Sequence, residues 1–230
     1  MSVKIDTVYQ KVLMFANKEQ RGYITPQEFN MFADQAQKEI FEQYFYDLNQ
    51  FSRQNISSAE NADMMGILEE KINIFLKQEE SSTNPERIDA RTHKLVNVWA
   101  GSSNRLCEEI STEELLYIQQ SPLLSPKSEH PVYTREEGLK VHVHPSDIYD
   151  KFTYQFIKTP TQPQWTYVVV NNKAMYDATN PNLNDFDLHK SEESELVYKI
   201  LKFAGISMRR QDIVQNAQAL ENLNVQQQKQ

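Results

Sequence analysis

PVYTREEGLKVHVHPSDIYDKFTYQFIKTPTQPQW, residues 131–165, is the stretch on which the fold turns. Leu139, Val141 and Val143 alternate with Lys140, His142 and His144, the period of a half-buried strand. Gly138 precedes this run and Pro145 ends it. Residues 151–158 (KFTYQFIK) are rich in aromatic and β-branched side chains and read as a second strand. TPTQPQ, 159–164, turns the chain, and WTYVVV, 165–170, reads as a third strand before the turn signal Asn171-Asn172. The expectation is a β-meander joined by loops of ordinary length.

Upstream the pattern is helical. Ile5, Val8, Tyr9, Val12, Leu13 and Phe15 recur at helical spacing over residues 3–17. Thr25-Pro26-Gln27-Glu28 carries the marks of a helix start: Thr25 as N-cap, Pro26 at the first helical position, Glu28 closing a capping box. The helix it opens runs to about Phe51, with Phe29, Phe32, Ala36, Ile40, Tyr44 and Leu48 on one face and Phe41, Phe45 and Tyr46 widening it. A third helix is predicted over 61–78, with Met64, Leu68, Ile72 and Phe75 on one side. Residues 77–87, charged, Ser-rich and broken by Pro85, read as a mobile loop. A strand is expected at 94–100 and a short helix at 111–120 capped by Ser111 or Thr112.

Downstream, residues 187–191 introduce a helix with Ser191 as N-cap, apolar at Leu196, Ile200, Leu201 and Ala204 and stopped by Gly205. Residues 209–230 are polar and Gln-rich. Their stripe, Ile213, Ala217, Leu220 and Leu223 with Val214 beside it, is too thin to hold a long helix on its own core. Such a segment orders against a partner or frays. The reading is therefore α+β: a helical body over 1–120, a β-meander insertion over 121–186, and a C-terminal helix with a polar docking tail over 187–230.

The chain of 230 residues carries a formal net charge of −8. That balance disfavours binding to nucleic acid by sequence or by charge. No apolar run approaches the length of a membrane span, and the first residues lack the apolar stretch of a signal peptide. One cysteine, Cys107, excludes an internal disulfide framework and suits a cytosolic folding compartment.

Chemistry-bearing motifs are sparse. NKEQRGYITPQE, 17–28, has the outline of a calcium loop, with Gly22 sixth, Ile24 eighth and Glu28 twelfth. Asn17 replaces the first aspartate, however, and Arg21 puts a cation where an oxygen ligand belongs. The structural reading gives Gly22 the turn, Ile24 the core and Thr25 to Glu28 the next cap. A small calcium- or metal-regulated interaction protein built on this loop is the alternative function. His142 and His144 share one strand face, but no spacing supplies further ligands. No GxSxG, HExxH or Walker pattern is present, so neither an enzyme nor a cofactor is expected.

Four stretches in order carry a resemblance. They are VYQKVLMFANKEQRGYITPQEFNMFADQAQKEIFEQYF at 8–45, Pro131-x-Tyr133 with Gly138 and VHVHP ending at Pro145, FIKTPTQPQW at 156–165, and ESELVYKILKFAGISMRRQDI at 193–213. Together they resemble the head-to-tail connector proteins of tailed bacteriophages, nearest to the adaptor or neck-ring proteins of short-tailed and crAss-like phages. The resemblance implies a structural virion protein made in the host cytoplasm and located in the neck or tail. It implies a helical bundle with an inserted β-meander, assembled as a ring, typically a dodecamer, that joins the portal protein to the tail or to further neck rings and leaves a channel for DNA. It also implies that 209–230 dock onto the portal through Arg209, Arg210, Ile213, Val214, Ala217, Leu220 and Leu223. The 159–164 loop, with Pro160, Pro163 and Trp165, would face another subunit.

Overall fold

The computed structural model describes residues 2–18, 24–53, 59–101, 105–171, 173–207 and 219. The fold is α+β, in two units: Met1–Ile74 with Pro160–Gln230, and Phe75–Thr159. The inserted unit thus begins earlier and ends earlier than the expected 121–186.

The helical unit opens with strand β1 (Ser2–Val3) and helix α1 (Ile5–Lys18), which buries Ile5, Val8, Tyr9, Val12 and Ala16. Phe15, expected on that face, is exposed. Helix α2 (Pro26–Arg53) begins with the capping box that the sequence announces. The Thr25 N–H donates to Glu28 Oε2 at 2.9 Å and the Glu28 N–H returns to Thr25 Oγ1 at 3.3 Å. Its buried stripe is Phe29, Ala33, Ala36, Gln37, Ile40, Phe41 and Tyr44. The face is narrower than expected, because Tyr46 is 67% exposed.

Helix α3 (Ala59–Asn73) buries Leu68 and Ile72 and stops short of the expected Gln78. The chain passes into strand β2 (Leu76–Glu80), the first element of the inserted unit. There follow β3 (Glu86–Arg87), β4 (Thr92–Ala100), β5 (Arg105–Leu106), β6 (Glu108–Glu109), α4 (Thr112–Gln119), β7 (Val132–Glu136), β8 (Lys140–His144) and β9 (Phe152–Lys158). They form two four-stranded sheets, β2-β9-β4-β5 and β3-β8-β7-β6. The β6–β7 pair is parallel and the other pairs are antiparallel. One core joins both sheets: Leu95, Val98, Phe152, Tyr154 and Phe156 from the first meet Tyr133, Val141 and Val143 from the second, with Ile88, Cys107 and Tyr149. Ser111 caps α4 by accepting from the Glu114 N–H at 3.1 Å, as its position before Glu113-Glu114 predicts. Gly101 sits at φ 51°, where a Cβ would come within 2.9 Å of the Tyr149 ring, so both backbone and space demand glycine.

Residues 77–87 are not a loose tip. β2 is an edge strand on β9, with its charged side chains turned to solvent. Ser81 exchanges two bonds with Phe152, through its N–H to the carbonyl at 2.8 Å and from the Phe152 N–H to its Oγ at 2.7 Å. Asn84 donates to the carbonyls of Val143 and Tyr149 and accepts from the Val143 N–H. A charge-rich sequence is common to loops and to protected sheet edges, and here the backbone pairing decides between them.

The helical unit resumes with β10 (Tyr167–Val170), β11 (Lys173–Tyr176), β12 (Phe186–His189) and α5 (Glu193–Ser207). β1 pairs with β12, and α5 packs on α1 and α2. The three strands expected between 139 and 170 all form, but β8, β9 and β10 belong to three different sheets, so the sequential pairing of a meander is absent. α5 also begins differently from expectation. His189 Nδ1, not Ser191, accepts the capping N–H of a 3-10 turn, Lys190–Glu192, that leads into it. The helix runs through Gly205 to Ser207 instead of stopping there. Leu196, Ile200, Leu201 and Ala204 are buried as predicted.

Candidate interaction surface

The segment 160–166 is strapped to the helical unit by amides. Asn30 on α2 grips the backbone of Trp165 twice, accepting from its N–H at 2.9 Å and donating to its carbonyl at 3.2 Å. Gln37, fully buried two turns further along α2, donates to the Thr161 carbonyl at 2.7 Å and accepts from the Asp187 N–H at 2.9 Å. Asp187 closes the loop by accepting from the Thr161 N–H and hydroxyl. Trp165 is 2% exposed; its indole N–H donates to Asp6 Oδ1 at 3.0 Å and its ring lies 4.1 Å from that of Tyr9. Pro160 and Pro163 are buried too. These three residues, expected to face another subunit, are committed to the chain's own core. Prolines and an indole between strands look alike whether they serve an interface or an interior.

Trp165 is also the root of a hairpin. Its ring stacks on Tyr167 and Tyr176 at 5.7 and 6.0 Å. The Thr166 hydroxyl donates to the Asp177 carbonyl and the Asp177 N–H to the Thr166 carbonyl. From this footing β10 and β11 pair in register, Tyr167 with Tyr176, Val168 with Met175, Val169 with Ala174 and Val170 with Lys173. Beyond the footing the hairpin is apolar and open. Val168, Val169, Val170 and Met175 are 52, 62, 45 and 57% exposed. Sequence reading finds the outgoing strand and its Asn171 turn but misses the return strand 173–176. Lys-Ala-Met-Tyr has weak strand preference, and only its partner VVV across the turn reveals it. Exposed apolar residues also gather on the inserted unit, at Leu116 and Tyr117 of α4 and at Leu123 and Leu124 just after it.

The charged residues of the helical unit answer one another. Lys199 of α5 is 1% exposed, with Glu39 Oε1 at 3.1 Å and Glu195 Oε1 at 3.7 Å. Lys71 of α3 meets the buried Glu192 at 2.6 Å and lies over the Tyr44 ring. Burial, then the Glu192 and Glu195 carboxylates, push the Tyr44 hydroxyl far above its ordinary range. This array fixes α5 against α2 and α3.

The metal candidates are not brought together with further ligands. Among the described residues no group of three or more His, Cys, Asp or Glu side chains could hold an ion. Of the 17–28 loop, residues 19–23 lie outside the described residues. Ile24 packs inward, and the Glu28 carboxylate is engaged by Thr25, whose N–H and then hydroxyl hold its pKa below the usual value. His142 and His144 lie with ring centroids 4.0 Å apart, and burial lowers both pKa values, favouring neutral imidazoles. Burial pushes the Cys107 thiol up to about 12, the opposite of an activated nucleophile. Arg209, Arg210, Ile213, Val214, Ala217, Leu220 and Leu223 lie outside the described residues.

The chain matches no protein-family model and no curated protein. Among the described residues no helix is long and apolar enough to cross a membrane. Among the described residues, the anchored hairpin and the α4 patch each gather several exposed apolar side chains.

Proposed function

We propose that this protein is a structural assembly component: a head-to-tail adaptor of a tailed-phage virion, forming a ring that joins the portal to the tail and leaves a channel for DNA. The observation that carries the reading is the β10–β11 hairpin. A two-stranded ribbon is marginal alone, yet this one is fixed at its root by the Trp165 stack and carries apolar residues into solvent. Rigid footing with an uncovered apolar end is the form of an arm that completes itself on another subunit. In a ring, many modest contacts of this kind add up by avidity. The negative net charge suits a wall beside a DNA path to which it must not adhere. The 209–230 segment, with its thin apolar stripe, is the part that docks on the portal.

The test mixes the purified protein with portal rings and images the product by negative stain. The expected result is a second ring seated on the portal. Deleting 209–230 should leave the melting curve of the body intact and abolish portal attachment. A full-length chain that neither self-associates nor binds the portal refutes the adaptor reading; a tail-less variant that still yields tailed particles refutes the docking role of the tail.

A further inference from the structure

We infer that the hairpin face formed by Val168, Val170, Lys173 and Met175 docks on the Glu113, Leu116 and Tyr117 face of α4, with Leu123 and Leu124, of a second copy of this chain. The inference deepens the assembly reading and rests on it.

The pleat selects the hairpin face. Cross-strand partners point the same way, so Val168 and Met175 share one face with Val170 and Lys173. The opposite face holds Val169 and Ala174 beyond Tyr167 and Tyr176, whose rings are stacked on Trp165. The first face thus gathers three of the four exposed apolar side chains, Val168, Val170 and Met175, and carries the one cation at its tip. Helical spacing selects the other surface. Glu113, Leu116 and Tyr117 lie three and four residues apart and share one side of α4, while Leu115 points inward and is buried. Tyr117 is 75% and Leu123 82% exposed. The turn after α4 is tied to its end by the Gln120 N–H to the Tyr117 carbonyl and the Ser121 N–H to the Ile118 carbonyl. Leu123 and Leu124 follow directly on that turn.

Charge then decides which surface meets which. Residues 167–176 contain Lys173 and no acid, whereas α4 presents Glu113 and Glu114 and no base; Lys127 comes only beyond Leu124. No ion pair among the described residues engages Lys173, Glu113 or Glu114. Hairpin on hairpin would cover two lysines without a carboxylate, and α4 on α4 would oppose acids; hairpin on α4 pairs apolar with apolar and cation with anion. Two different patches in contact make a heterologous interface, the kind that closes into a ring. A handful of apolar side chains per side is far below the ~20–30 residues a side of a standard interface. Each contact is therefore modest until the ring closes.

The test uses Met175→Cys and Leu123→Cys, purified separately. Both positions are exposed, and the native Cys107 is buried, so the engineered thiols report alone. Treatment with a short bis-maleimide should give a cross-linked dimer on mixing, several-fold above either variant by itself. Adding Lys173→Glu to the hairpin variant should cut that yield several-fold, and Glu113→Lys on its partner should restore it. Melting curves confirm that each variant is folded. Equal cross-linking of Met175→Cys with itself, or none in any mixture, overturns the docking pair. If rings still form on the portal while the mixed cross-link is missing, the docking pair alone fails. If the cross-link forms and the portal is ignored, the docking pair stands and the adaptor reading fails.

Discussion

Replacing Gln37 with methionine tests whether the strap over 160–166 is held by amide chemistry or by packing alone. Methionine fills about the same volume, so the packing change is small. What is lost is the donor to the Thr161 carbonyl at 2.7 Å and the acceptor for the Asp187 N–H at 2.9 Å. The Asp187 carboxylate still holds the Thr161 N–H and hydroxyl, so the strap cannot swing out to let water reach the orphaned groups. Each buried polar group left without a partner costs ~1–3 kcal/mol. Both sites are part-buried, so the lower half of that range applies and the sum is ~2–4 kcal/mol. With a urea slope near ~2 kcal/mol/M, the midpoint should fall by roughly 1–2 M. Far-UV circular dichroism follows the helices α1, α2, α3 and α5, which lie in the unit that Gln37 belongs to. A Gln37→Met midpoint within about 0.3 M of the parent, at unchanged slope, would show that the strap does not depend on these bonds.

Four further outcomes follow from other parts of the molecule. Thr25→Ala removes one half of the α2 capping box and should cost ~1 kcal/mol by urea denaturation. Because Thr25 depresses the Glu28 pKa, the Glu28 contribution is present above the ordinary carboxylate range and is lost as pH falls through the lowered value; Glu28→Gln should therefore flatten the acid limb of the stability–pH curve, and an unchanged limb would contradict the cap. Phe156→Ala, at a fully buried position between the sheets, should destabilise the inserted unit by ~3–5 kcal/mol, read as the shift of its transition followed by Trp99 emission in a Trp165→Phe background. Millimolar calcium should leave both the tryptophan emission and the melting temperature unchanged, since Glu28 is engaged by its cap; a calcium-dependent rise in melting temperature would revive the ion-binding alternative.

Local grammar was legible. The Thr25 to Glu28 box and the Ser111 cap each span four consecutive residues, so sequence contains every partner. The helices α1, α2 and α5 were visible for the same reason, since their apolar periods are local. Long-range pairing was not. Nothing in LKQEE says that it lines β9, because an edge strand with solvated side chains lacks the alternation that marks a half-buried one. Asn30, Gln37 and Asn84 each hold backbone from a distant segment; an amide in a polar stretch gives no sign of that duty. His189 took the capping role expected of Ser191 because its ring nitrogen accepts the Ser191 N–H at the start of the 3-10 turn that leads into α5. For the candidate surface, the outgoing strand of the hairpin was readable, while the exposure that makes it a candidate is a property of what fails to cover it.

The bond from the Lys158 N–H to the Phe75 carbonyl, at 2.9 Å, and the Leu76–Ile157 pairing beside it bring the two ends of the inserted unit side by side. To the rest of the chain, residues 75–159 amount to one short loop, because closing a chain depends on the gap between its ends and only weakly on what hangs beyond them. The β unit is thus a cassette. A lineage or an engineer could exchange it for another domain with adjoining termini, altering what the protein displays or touches there while leaving the helical frame to fold by the same contacts.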